Sequence, residues 1–162
     1  MSSPIEQLYQ QHERAVYRFA LGLCGDAHTA RDLVAETFVR VMLSSTPIQM
    51  ETVQAYLCMI ARRLYLKEWH RRQRHTELED IHLDPAPGPE QQLSDAQTLR
   101  AALQALQDLP EIDRAALLMR AQDDVPYEDI ARALDITLSS AKVKVSRARL
   151  KLALIVKGKP AP

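Results

Sequence analysis

Val125-Pro-Tyr-Glu-Asp-Ile-Ala-Arg-Ala-Leu-Asp-Ile-Thr-Leu-Ser-Ser-Ala-Lys-Val-Lys-Val-Ser-Arg-Ala-Arg149 has the pattern of a helix-turn-helix. Pro126 opens a short helix that runs through Leu134, a turn of a few residues follows, and a basic helix covers about Leu138–Val156. At 100° per residue, Ala141, Val145, Ala148 and Leu152 share a packing face, while Ser139, Lys142, Val143, Ser146 and Arg147 lie on the opposite side. That outer face is small and basic near the helix start, which suits entry of its N-terminal half into a DNA major groove. Lys144, Arg149 and Lys151 sit on the flanks, where phosphates would be. A solvated basic helix that binds nothing is the competing interpretation of the same pattern.

The charge distribution weighs against that competitor. The 162 residues sum to zero formal charge, which hides a segregation. Residues 138–162 hold seven basic and no acidic side chains, and residues 62–74 hold six basic and one acidic. Residues 75–135 between them hold four basic and fourteen acidic ones. Two concentrated cationic patches flanking an acidic middle fit a polyanion met at two separate places.

The rest of the chain reads as helix. A first helix covers about Pro4–Leu23, and Cys24-Gly25-Asp26 stops it, Gly25 suiting a left-handed end and Asp26 the next N-cap. The second covers Ala27–Ser44 with a core stripe of Ala30, Leu33, Val34, Thr37, Phe38, Val41 and Met42. Pro47 marks Ser44–Met50 as a loop. A third helix over Thr52–Arg74 buries Val53, Tyr56, Leu57, Ile60, Ala61 and Leu64. His75–Asp95, with Pro85, Pro87, Gly88 and Pro89 among acids, has the composition of a tether. Ser94-Asp-Ala-Gln97 opens a fourth helix as a capping box, and Pro110 starts a fifth. The fold class expected is therefore all-α: two small helical domains, 1–75 and 95–162, joined by a flexible, acidic, Pro-rich linker over 76–94. Modules of this size bury only about 60% of their chain surface, so each is marginal alone.

Two further faces stand out. Arg63, Lys67, His70, Arg71 and Arg74 follow helical spacing along the third helix, with Arg62 beside them. Tyr65 and Trp69 are four apart; they stack on unpaired bases or fill the core, and Trp69 fits the core better. On the second helix, Asp32, Ala35, Glu36, Val39 and Leu43 face outward, and apolar Val39 and Leu43 beside acids mark a protein-docking patch.

The combination resembles a bacterial RNA polymerase sigma factor. The residues that carry it are Asp32-Leu-Val-Ala-Glu-Thr-Phe-Val-Arg-Val-Met42, Ala55-Tyr-Leu-Cys-Met-Ile-Ala-Arg-Arg-Leu64, Leu109-Pro with Arg114 and Leu117-Leu118, and the Tyr127–Leu152 segment. The order and spacing are similar to the short extracytoplasmic-function class of the sigma-70 family, which keeps only regions two and four. The resemblance implies that the helix of Asp32, Ala35, Glu36 and Val39 docks on core RNA polymerase. It implies that Arg62, Arg63, Lys67, His70, Arg71 and Arg74 serve recognition and melting of the −10 promoter element. It assigns the −35 element to Ser139, Ser140, Lys142, Val143, Lys144, Ser146, Arg147 and Arg149. Sequestration by an anti-sigma protein is implied as a feature of many members.

This chain departs from the family pattern in places. Ala35 stands where Gln is usual, Arg63 for Asn, Lys67 for Asp, Asp135 for the turn Gly, and Ser139-Ser140 for Gly-Thr. Asp tolerates the left-handed conformation such a turn needs. The promoter elements of the family lie roughly 50–55 Å apart, judged from the duplex turn. A free coil of the tether's length spans only about 25 Å, so polymerase must hold it extended.

Other function classes fare worse. A stand-alone helix-turn-helix regulator with an N-terminal effector module is the alternative, and it would bind duplex DNA without polymerase. Catalysis has no support: there is no Gly-rich phosphate loop, no nucleophile cluster, and no metal-ligand spacing among the histidines or between Cys24 and Cys58. No cofactor is expected. With no transmembrane run and no secretory signal in the sequence, no membrane insertion and a cytoplasmic location are expected.

Overall fold

Helix ends fall where local chemistry puts them. The computed structural model describes residues 3–44, 52–76 and 94–158, with backbone alone at residues 70, 73–76, 94, 123 and 158. Its helices are α1 (Pro4–Cys24), α2 (Ala27–Leu43), α3 (Val53–Thr76), α4 (Ser94–Gln107), α5 (Glu111–Asp123), α6 (Tyr127–Leu134) and α7 (Leu138–Gly158). Gly25 ends α1 at φ 76°, donating its N–H to the Leu21 carbonyl at 2.7 Å. Asp26 caps α2 by accepting from the N–H and hydroxyl of Thr29 at 2.8 and 2.6 Å. Those two donors hold the Asp26 carboxyl below its ordinary value. Asp124 and Asp135 take the left-handed conformation that ends α5 and α6. Most of the Ser44–Met50 loop, and the tether over residues 77–93, lie outside the described residues, as does the side chain of the capping-box Ser94.

α1, α2 and α3 pack on one another, and α5, α6 and α7 form a second unit that carries the helix-turn-helix. The relative placement of the two was not legible in the sequence. They share one core: Val16, Phe19, Leu23 and Leu57 belong to the same buried cluster as Leu118, Met119, Ile130 and Val145. Pooling the two cores in this way supplies the burial each small unit lacks alone. Arg114, buried, donates to the Leu109 carbonyl at 2.9 Å, fixing the corner from α4 into α5.

Polar contacts reinforce the shared core. Arg62 of α3 makes a two-pronged pair with Glu111 of α5, both N···O distances being 2.7 Å. Asp129 of α6 accepts from the backbone N–H and hydroxyl of Thr52 just before α3. Gln107 of α4 donates to the Gly22 carbonyl at 3.0 Å.

Gly22 of α1 packs tightly against α5: a Cβ there would lie 2.6 Å from Leu118 Cδ2. Gly22→Ala gains about 1 kcal/mol of helix propensity but costs about 1–3 kcal/mol in overpacking. A lowered thermal midpoint is expected; an unchanged or raised one would mean that Leu118 swings clear at no cost.

Two core assignments are corrected. Met42 is 58% exposed, one residue before the end of α2. Trp69 is 41% exposed, so it stands at the surface of α3 rather than in the core.

Candidate functional site

α7 is presented as its periodicity predicts. Thr137 caps it, its hydroxyl accepting from the Ser140 N–H at 3.0 Å. Ala141, Val145 and Ala148 are fully buried, while Ser139, Lys142, Val143, Ser146, Arg147 and Arg149 are exposed. Lys142, Val143, Ser146, Arg147 and Leu150 line one shallow concavity of about 430 Å³. Its chemistry is that of a groove reader, with two cations, a hydroxyl and an apolar patch on a helix held from behind.

The supports of this face come from elsewhere in the chain. Tyr127, at the start of α6, packs under the guanidinium of Arg120 at 4.5 Å, and Lys142 Nζ lies 6.0 Å from the same ring. Asp113 of α5, 1% exposed, receives Arg147 and lies 3.9 Å from Lys144 Nζ. Ser140 and Lys144 are half-buried rather than fully outward.

The basic residues of α3 are divided. Arg63 and Lys67 are exposed, and Arg71 pairs with Glu68 at the surface, a contact worth little in water. Arg62 points the other way, 14% exposed against Glu111. The side chains of His70 and Arg74 lie outside the described residues.

Asp32, Ala35 and Glu36 are exposed on α2 and line a groove of about 610 Å³ with Lys67 and Arg71 of α3. The sequence places these two sets on separate faces; the crossing of α2 and α3 makes them the two walls of one groove. Beyond Ala35, Val39 and Met42 continue into a smaller, apolar groove with Ile5, Tyr9 and Phe38.

Cys24 and Cys58 are free thiols, and burial pushes the Cys24 thiol above its ordinary value, away from nucleophilic use. Among the described residues, no group of three His, Cys, Asp or Glu side chains comes together to hold a metal. No described helix is long and apolar enough to cross a membrane. Sequence reasoning missed Glu111, Asp113 and Asp129 as individual partners. Their only signal was the acidic excess of the middle of the chain.

Comparison with known proteins gives the following. The family model for sigma-70 region 2 matches residues 8–75, and that for sigma-70 region 4 matches residues 99–152. The chain is 37% identical to ECF RNA polymerase sigma factor SigE of Mycolicibacterium smegmatis, across 91% of this chain and 59% of that protein. It is 31% identical to the ferric citrate uptake sigma factor FecI of Escherichia coli, across 91% of this chain and 87% of that one. Among solved structures, the sigma factor RpoE of Bartonella quintana, in complex with the anti-sigma factor NepR, matches with a TM-score of 0.74 at 24% identity, covering 96% of this chain and 98% of that one. CnrH, in complex with the cytosolic domain of CnrY, matches with a TM-score of 0.73 at 16% identity over 96% and 89% of the two chains. At those identities the two structures speak to fold alone.

Proposed function

Because the chain belongs to the sigma-70 family of bacterial RNA polymerase sigma factors, in its extracytoplasmic-function class, we propose that it is a promoter-specificity subunit that binds core polymerase and directs initiation through the faces described above. The observation that carries this reading is the outer face of α7, where Lys142, Val143, Ser146 and Arg147 stand exposed on a helix buried along its back. In a chain whose residues 99–152 match sigma region 4, that face is assigned to the −35 element. Arg63, Lys67 and Arg71 of α3 are assigned to the −10 element, and Asp32, Glu36 and Val39 of α2 to polymerase. The units divide as 1–75 and 95–162, with 76–94 as the tether. Such a subunit is regulatory rather than an enzyme, and it works in the cytoplasm beside its polymerase. An anti-sigma protein, of the kind held by the Bartonella relative, is the partner proposed for its control.

A stand-alone regulator loses its ground, since residues 8–75, which would be its effector module, match sigma region 2. Transcription in vitro with core polymerase on a promoter library tests the proposal. Transcripts sharing two upstream elements are expected; no transcripts and no retention on core polymerase would refute it.

The packed arrangement also bears on the free protein. On this reading the two units separate on polymerase to reach promoter elements roughly 50 Å apart, and their shared core opposes that separation. Arg62 is meanwhile neutralised by Glu111. Glu111→Gln is expected to raise the affinity of the free chain for promoter DNA several-fold in fluorescence anisotropy at fixed salt. Glu128→Gln, the same charge change at an exposed site, is the control and should move it less. Equal shifts for both would leave the Arg62–Glu111 pair no restraining role.

A further inference from the structure

Resting on the assignment of α7 to the −35 element, we infer that Asp113 is a positioning residue for base readout, one that aims Arg147 into the groove. Asp113 is the third residue of α5 and is 1% exposed. Its Oδ2 accepts from Arg147 Nε at 3.0 Å, and its Oδ1 from Arg147 Nη2 at 3.4 Å. Lys144, one turn earlier on α7, brings its ammonium to 3.9 Å from Oδ1 and is 18% exposed. Arg147 itself is 48% exposed, so its guanidinium has one edge on the protein and one in solvent.

The geometry of a guanidinium makes this arrangement specific. Five N–H groups lie in one plane. Asp113 takes the two on the Nε–Nη2 edge, which leaves Nη1 and the second hydrogen of Nη2 side by side on the far edge. That remaining pair is what a bidentate contact to guanine O6 and N7 requires. The exposed edge opens on the concavity lined by Lys142, Val143, Ser146 and Leu150, the surface assigned to the groove.

Two physical consequences follow from the burial of Asp113. An unpaired carboxylate in that position is costly, so Arg147 is held against it rather than left to sweep its many rotamers. The ordering of a long side chain is then met on folding and not on binding DNA. The same carboxylate offsets part of the positive charge of Lys144 and Arg147. It thereby weakens attraction to phosphates of any sequence while sharpening contact with one base. A residue that only stabilised the fold would not act on these two quantities in opposite directions.

The test uses full-length protein reconstituted with core polymerase and a promoter library randomised over the upstream element. Arg147→Ala locates the base-pair position that Arg147 reads. Asp113→Asn, which keeps the side-chain shape, and Asp113→Ala should flatten the preference at that same position by about tenfold, the effect of one lost bidentate contact. They should leave preferences elsewhere unchanged. Combining Asp113→Asn with Arg147→Ala should flatten it no further than Arg147→Ala alone. Binding of the holoenzyme to non-promoter duplex should be unchanged or tighter in the Asp113 variants. The idea is overturned if those variants keep the preference intact, or if they reduce transcription equally from every library member. Should Arg147→Ala flatten no position, the assignment of α7 through Arg147 fails and the role of Asp113 falls with it. Should Arg147→Ala flatten one and Asp113→Asn none, that assignment stands and only the positioning role is lost.

Discussion

Replacing Asp32 and Glu36 together by lysine is expected to abolish retention on core polymerase while leaving helical content and thermal midpoint unchanged. Both side chains are exposed on α2, and Asp32 lies 3.8 Å from His28 with both groups largely in solvent. Exposed substitutions of this kind shift stability by no more than about 0.5 kcal/mol. The native pair is already like-charged at i, i+4, so a lysine pair exchanges one mild repulsion for another. Docking has no such indifference. The change removes two negative and adds two positive charges on the wall of the α2–α3 groove, a net shift of four, and sets like charge against a partner surface that would complement the native acids, a mismatch that costs several kcal/mol. Co-purification of the doubly substituted chain with core polymerase would end the docking assignment. A lowered midpoint would instead mean that the groove supports the fold.

The second large effect concerns Asp129. Its carboxylate is fully buried and receives Thr52 N–H at 2.8 Å, Thr52 Oγ1 at 3.0 Å and Arg132 Nη1 at 3.4 Å. Thr52 in turn caps α3, its hydroxyl accepting from the Ala55 N–H at 3.3 Å. The helix-turn-helix thus supplies an anion to the N-terminus of a helix in the other unit, where the dipole favours one. Asp129→Ala removes charge-assisted bonds and strands the Thr52 N–H, at a cost of about 2–3 kcal/mol. For a chain of this size that corresponds to a fall of about 5–10 °C in midpoint by scanning calorimetry. Asp129→Asn keeps an acceptor and should lose less. Promoter-directed transcription is expected to survive at a temperature where the variant is folded, because the contact joins units that, on the function proposed, part on polymerase. An unchanged midpoint would show that water replaces the carboxylate without penalty; a loss of both midpoint and transcription would show that Asp129 serves the helix-turn-helix itself.

The two experiments bracket the molecule. Asp32 and Glu36 are dispensable to the folded chain and are expected to matter only to a partner. Asp129 matters to the packed free form and should matter less once the units separate.

Much of this was open to inspection in the primary structure. Helix ends were legible because their causes are local: Gly25 is the residue that a left-handed stop favours, Asp26 is placed to cap, and Pro110 and Pro126 precede the helices they start. The buried back of α7 was legible because Ala141, Val145 and Ala148 recur at helical spacing. Met42 and Trp69 were misjudged because periodicity tells which way a side chain points on its own helix but not what packs against it. Arg62 looked equivalent to Arg63 for the same reason; one residue of rotation turns it from solvent to Glu111.

Sequence alone therefore determined the described helices, the Gly25 stop and the Asp26 cap between the first two, the helix-turn-helix and the segregation of charge, all of which follow from interactions within a few residues. Tertiary structure decided which acid meets which base. Glu111 reaches back 49 residues to Arg62, Asp129 reaches 77 to Thr52, and Asp113 reaches forward 34 to Arg147. No local rule selects such partners, because they are chosen by how two weakly cored units bury their apolar faces against each other, and the charges then pair with whatever that packing brings within reach.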